Sequence, residues 1–419
     1  MKTTTRIQLS VLMFLEFFIW GAWYTTIGVY MTKHNMANLT HWPFTVNPIA
    51  AIIAPFFIGL IADRYFATQK VLGTLHILGA VFMFLTPAAT GNPVVFILLL
   101  LAYNLCYMPT MGLANTICFY KMTDQEKQFP LIRVFGTLGW IAAGLIISFV
   151  LGRFAGEAVK AEETAMPLYM TATASLLLGL YSFTLPNTPP SGAGKKVSAR
   201  SIIGVDAFKQ LGSPSFYIFL ISSFLICIPL AAYYNFTQIF LDSAHFKNIA
   251  ATQTLGQASE TLFMILMPIF FVRFGVKWML AAGMLAWVAR YSLFALGAPE
   301  LVNWMILTGI ALHGICYDFF FVTGQIYVDT KATPEIRAQA QGLIVFVTYG
   351  VGMLVGAQIA GMVYDGFLKD SGALTLQQWQ SFWWIPAIFA AAVLILFIAL
   401  FRVKKKAEPS AKKMPAELV

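Results

Sequence analysis

Charge is scarce in this chain. Asp, Glu, Lys and Arg make up 11% of its 419 residues, against about 25% in typical soluble domains. With 59% hydrophobic residues, that shortage excludes a soluble globular protein. Cysteine is scarce too. Cys106, Cys118, Cys227 and Cys316 lie in or at the edge of apolar runs and form no CxxC pair. They read as small core residues, neither disulfide partners nor metal ligands. No HExxH, GxSxG, Walker or dinucleotide pattern stands in a fitting context, so no enzyme, metal site or bound cofactor is expected. GAGKKVS, from Gly192, lacks the first glycine of a phosphate loop and has no strand before it.

Long apolar runs are there instead. Twelve have the length of a membrane span, at 7–32, 44–63, 69–90, 93–117, 130–152, 166–186, 213–240, 253–272, 276–297, 301–325, 338–364 and 380–401. The first lacks a small-residue cleavage site and reads as a retained helix, not a signal peptide. With the N-terminus inside, the inner segments carry 20 Lys and Arg and the outer loops five (Lys33, Arg153, Lys160, Lys247 and Lys369). This bias predicts a multi-pass bacterial inner-membrane protein with both termini cytoplasmic. It also accounts for the net charge of +9 through anionic lipid, with no nucleic-acid partner. Nothing in the chain calls for an obligate oligomer, and a monomer is expected.

LPNTPPSGAGKKVSAR, from Leu185, is rich in Pro, Gly and Lys and cannot continue a helix. It divides the runs six and six. The expected organisation is an N-terminal six-helix bundle at 1–186, a cytoplasmic linker at 187–212, a C-terminal six-helix bundle at 213–402 and a basic tail at 403–419. Two parallel six-helix halves are the repeat of the major facilitator architecture. GLIADRYFATQK, with Gly59, Asp63, Arg64 and Lys70, resembles that superfamily's signature between helices 2 and 3; FFVRFGVKWM is its counterpart after run 8. Gly352 and Gly356 are spaced to let helix backbones approach. Pro55, Pro109, Pro268 and Pro386 fall inside runs, where kinks are expected.

Ionisable side chains at membrane depth are costly and mark function. Five stand out: Glu16, Arg133, Glu260, Arg290 and Asp318. Glu260 and Arg290 lie 15 residues either side of a turn near Gly275, hence at equal depth, and are expected to form an ion pair. The pair is either a structural clamp or a device that holds Glu260 ionised toward a cavity. Asp318, in LHGICYDFFFV, and Glu16 have no cation nearby in sequence. A carboxyl in low dielectric favours its protonated form, the property a proton-coupled carrier needs. Both are candidates for proton coupling, or else for a helix-to-helix hydrogen bond. Arg133 either snorkels to the surface or faces the cavity. His313 fits a pocket wall. Asn104, Asn115, Thr137, Asn235, Gln238, Gln257 and Gln341, with Trp20, Trp23, Tyr107, Trp140, Tyr233, Tyr234 and Tyr317, suit a polar, uncharged, ring-bearing solute such as a nucleoside or a sugar.

These stretches resemble one family in order and spacing: the bacterial nucleoside:proton symporters of the major facilitator superfamily. The likeness rests on FIWGAWYTTIGVYM, YMPTMGLANTI, FPLIRVFGTLGW, LGQASETLFMILMPIFF, YDFFF and IRAQAQG. It implies an all-α membrane protein of 12 transmembrane helices in two halves that imports a nucleoside with a proton by alternating access. A proton-coupled sugar or oligosaccharide symporter is the alternative. The resemblance gives Arg133, Thr137, Gln257 and Glu260 to the nucleoside site and Asp318 to binding and proton coupling. Trp140, Tyr234, Asn235, His313 and Tyr317 complete the candidate binding set. The chain also departs from the family. On run 7 the family's site glutamine and asparagine are Ala231 and Tyr234 here, with Asn235 adjacent. His313 replaces an aromatic residue, and Glu16 stands at a neutral glutamine position.

Overall fold

The computed structural model describes residues 2–156, 158–190, 205–333, 336–368 and 372–402, without the side chains at 55–64, 126, 205–207 and 338. The basic tail at 403–419, most of the linker, and the side chains of Gly59, Asp63 and Arg64 lie outside the described residues.

The described chain is helical throughout. Its transmembrane helices are α1 (Thr3–Tyr24, resuming at Ile27–Lys33), α2 (Trp42–Arg64), α3 (Thr68–Leu85), α4 (Pro93–Lys121) and α5 (Gln125–Leu145, continuing to Ala155). α6 (Met166–Ser182) and α7 (Pro214–Ser243) follow. The helical stretch Ile249–Gly297 breaks and reverses at Gly275, giving α8 (249–274) and α9 (276–297). Gly275 has φ 62° and ψ 175°, a backbone region that a Cβ penalises, so glycine is the residue that allows this tight reversal. α10 (Asn303–Lys331), α11 (Gln339–Leu368) and α12 (Leu376–Leu400) complete the set. The twelve helices fall within a few residues of the twelve apolar runs.

Local chemistry sets the helix starts. The side chains of Asn92, Asp124 and Ser213 accept the orphan backbone N–H groups of α4, α5 and α7. Thr375 and Gln378 form a reciprocal capping box on α12. Pro109, Pro268 and Pro386 sit inside α4, α8 and α12, and Pro229 inside α7. Wide π turns occur at Ile146–Leu151, Asp318–Val322 and Phe346–Gly352, a distortion that favours functional sites.

Two large hydrophobic cores hold the molecule, with a small third cluster of Met267, Met279 and Phe319. One is built almost wholly from residues between Leu9 and Leu185, the other from residues between Leu211 and Phe401. All four cysteines are buried. Gly352 and Gly356 press on α7: a Cβ on Gly356 would stand 2.8 Å from Ala231 Cβ, and one on Gly352 2.9 Å from Cys227 Cβ. The spacing read from sequence thus serves close packing of α7 and α11.

Hydrogen bonds and ion pairs between the halves gather at the end opposite the termini. α1 breaks between Tyr24 and Ile27. Thr25 and Thr26 hydroxyls donate back to Gly21 and Ala22 carbonyls there. Amides of the other half finish the repair. Gln238 accepts from Gly28 N (2.9 Å) and donates to the Tyr24 carbonyl, while Gln253 donates to the Thr25 carbonyl (3.0 Å). Backbone freed inside a membrane is tolerated where protein satisfies it. Nearby, Glu162 accepts from Ala250 N at the start of α8 (3.0 Å) and from Ser148. Asp242 of α7 takes Lys160 at 2.5 Å and Lys33 at 3.4 Å, both from the N-terminal half.

Candidate functional site

A cavity of about 180 Å³ lies between the two halves at mid-depth. The N-terminal half contributes α1 through Phe17, Trp20 and Tyr24, α2 through Asn47, and α5 through Arg133, Thr137 and Trp140. The spacings 17, 20, 24 and 133, 137, 140 each keep one helix face toward the cavity. The C-terminal half contributes Tyr234 of α7, Gln257 and Glu260 of α8, His313 and Tyr317 of α10, and Tyr349 and Met353 of α11.

The wall is aromatic and the floor polar. Trp20 packs edge-on to Trp140 (5.5 Å) and Tyr24 (5.7 Å), and Tyr24 meets Tyr234 across the halves at 5.6 Å. Arg133 does not snorkel. Its guanidinium lies 3.9 Å over the Phe17 ring, a cation–π contact that orients its donors. Glu260 keeps 19% of its side chain exposed, with His313 Nε2 at 3.9 Å. The His313 ring stacks on Tyr233 at 5.4 Å. The Tyr349 hydroxyl donates to that of Tyr317 at 2.5 Å. Gln257 Oε1 has no hydrogen-bond partner among the described residues. One cavity therefore offers a guanidinium, a carboxyl, an amide and an imidazole opposite flat aromatic faces.

Eight of the ten predicted binding residues line this cavity: Arg133, Thr137, Trp140, Tyr234, Gln257, Glu260, His313 and Tyr317. Asn235 and Asp318 do not; both are 0% exposed. Each follows a cavity residue, and one helical step rotates a side chain by about 100° away from its neighbour. The expectation that Asp318 belongs to the binding set is corrected on this point: its side chain does not line the cavity. It opens a π turn, and neither carboxyl oxygen has a hydrogen-bond partner among the described residues.

One further expectation is corrected. Glu260 and Arg290 form no ion pair. Arg290 is 0% exposed, lies 4.0 Å over the Tyr233 ring and donates through Nε to the Gly309 carbonyl at 3.0 Å. Equal depth on two helices does not fix which way each faces. Glu16 makes the helix-to-helix hydrogen bonds that the sequence left open as its second reading. It is fully buried and meets His76 Nε2 at 3.0 Å, while Thr110 donates to its other oxygen at 2.5 Å. His76, in the third apolar run, was a mid-membrane ionisable group that sequence reasoning passed over. Phe17, Tyr24, Asn47, Tyr349 and Met353 were missed as well; of these, Asn47 alone carries a signal, as an amide within a span. Asn104 and Gln341 serve elsewhere: Asn104 accepts from Asn47 at 2.8 Å and Gln341 donates to the Gln325 carbonyl.

Residues 1–406 match the family model described as nucleoside H+ symporter. The chain belongs to the nucleoside H+ symporter family. Among curated relatives of this symporter, the putative nucleoside transporter YegT of Escherichia coli (strain K12) is 41% identical over 408 residues, covering 96% of this chain and 94% of its own. The nucleoside permease NupG of the same organism is 31% identical over 423 residues, covering 97% and 98%. Two crystal structures of the nucleoside transporter NupG superpose with TM-scores of 0.86 and 0.82 at 30% identity, over 95% and 96% of the symporter and 100% of each NupG chain. The twelve helices are those of a major facilitator transporter in two six-helix halves, and the family's members are transporters.

Proposed function

We propose that this protein imports a nucleoside together with a proton across the bacterial inner membrane, as a monomer with both termini cytoplasmic. The observation that carries the reading is the set Arg133, Gln257 and Glu260 facing Trp20, Trp140 and Tyr234 in one cavity between the halves. A nucleoside has an aromatic base for the flat faces and ribose hydroxyls for the carboxyl, amide and guanidinium. Family membership supports the same reading. The proton is carried by carboxyls of the C-terminal half, Glu260 in the cavity and Asp318 beside Tyr317. A neutral solute entering with one proton moves one charge, so a membrane potential adds about 2.3 kcal/mol per 100 mV to the driving force. Closure opposite the termini fits the state that faces the cytoplasm in an alternating-access cycle.

The test is uptake of labelled uridine, adenosine and maltose into proteoliposomes, with an inward proton gradient and with it collapsed. Gradient-dependent nucleoside accumulation, competed by unlabelled nucleosides and not by sugars, is expected. Accumulation of maltose without nucleoside would overturn the substrate assignment. Equal uptake without the gradient would overturn the coupling.

A further inference from the structure

We infer that Glu16 and His76 form a proton-sharing pair that carries no transported proton and instead positions the α1 wall of the cavity. The inference rests on the transport reading above. The Ser175 hydroxyl has one proton and gives it to the His76 carbonyl at 2.9 Å. Its oxygen then has only lone pairs to offer His76 Nδ1 at 3.1 Å, so Nδ1 is the protonated ring nitrogen. The Thr110 hydroxyl also has one proton and stands 2.5 Å from both the Tyr107 carbonyl and Glu16 Oε1; given to Glu16, it leaves one proton for the 3.0 Å contact between Nε2 and Glu16 Oε2. It sits on the carboxyl or on the ring, and either way the pair is neutral. Removing it would set a carboxylate oxygen against a bare nitrogen lone pair. Both side chains are shut from solvent, at 0% and 1% exposure, and neither lines the cavity.

The pair is also a mechanical tie. Glu16 ties α1 to α3 through His76, to α4 through Thr110, and by way of His76 to Ser175 of α6. The Tyr107 hydroxyl donates to the Glu16 carbonyl at 2.6 Å. Tyr107 and Tyr103 are the other titratable groups against Glu16. The next residue, Phe17, lies under the Arg133 guanidinium, and Trp20 and Tyr24 follow on the same face. Fixing Glu16 fixes the rotation of α1, and with it the seat of Arg133. Glu16 and His76 are positioning residues.

The full-length protein in proteoliposomes, with labelled uridine and adenosine, tests this. Glu16→Gln can donate to Nε2 and accept from Thr110, so it is expected to keep gradient-driven accumulation and an unchanged KM. Glu16→Ala and His76→Ala leave a buried group unpaired and are expected to raise KM about tenfold at a similar maximal rate. Thr110→Val, which removes one hydroxyl, gives a smaller rise and stands in where the alanine variants fail to fold. Loss of accumulation by Glu16→Gln with retained substrate exchange would make Glu16 a proton carrier and overturn the inference. An unchanged KM in every folded variant would overturn the positioning role. Failure of the wild-type protein to move any nucleoside would sink the transport reading instead. The pair is then read by ¹⁵N resonance of His76, expected to show a protonated Nδ1; an unprotonated Nδ1 would refute proton sharing.

Discussion

Removing the Asp242 carboxylate is expected to loosen one conformation and leave the fold intact. Asp242 receives Lys160 at 2.5 Å and Lys33 at 3.4 Å, with side-chain exposures of 13%, 23% and 43%. Exposed ion pairs contribute about 0–1 kcal/mol, and breaking a buried pair costs about 3–5 kcal/mol. This cluster lies between those limits and joins two halves with separate cores, so about 1–2 kcal/mol is assigned to closure opposite the termini. At about 1.4 kcal/mol per tenfold, Asp242→Asn lowers the closed-to-open ratio roughly 5- to 30-fold. Spin labels on cysteines at Asn38 and Lys247, both exposed at that end, report the change as a new, longer distance. The native cysteines are buried and leave the two labels distinct. The gain should shrink in the wild-type comparison at high salt, which screens half-exposed charges. A Lys160→Met, Asp242→Asn double variant should open little further than Asp242→Asn alone, because the two share one interaction. A distance distribution in Asp242→Asn identical to wild type would refute the reasoning.

Three other outcomes are expected. Glu260→Gln keeps the cavity's shape but loses a charged acceptor for hydroxyls, worth about 1.5–3 kcal/mol, so nucleoside affinity by calorimetry should fall at least tenfold; unchanged affinity would remove Glu260 from the site. Arg133→Lys keeps the charge but loses the planar stack on Phe17, and KM should rise about five- to fiftyfold in liposome uptake. Asp318→Asn should purify with wild-type yield and exchange nucleoside across the membrane while losing gradient-driven accumulation; normal accumulation would exclude it from proton coupling.

What the sequence determined by itself follows from the solvent. A bilayer demands about 20 apolar residues per helix with every backbone group satisfied, so twelve spans were legible from hydropathy and the α8–α9 reversal from Gly275. Spacing along one helix was legible too, because Arg133, Thr137 and Trp140 share a face by periodicity alone. Facing between helices was not. Depth placed Glu260 level with Arg290, but the rotation of each helix sent one to the cavity and the other to Tyr233 and the Gly309 carbonyl. One residue of register separated Tyr234 from Asn235 and Tyr317 from Asp318. The partners of Glu16, on α3 and α4, and the lysines around Asp242, from the other half, come from parts of the chain far apart in sequence. Those contacts depend on how helices rotate and lean against one another, and only the packing of side chains in three dimensions fixes that.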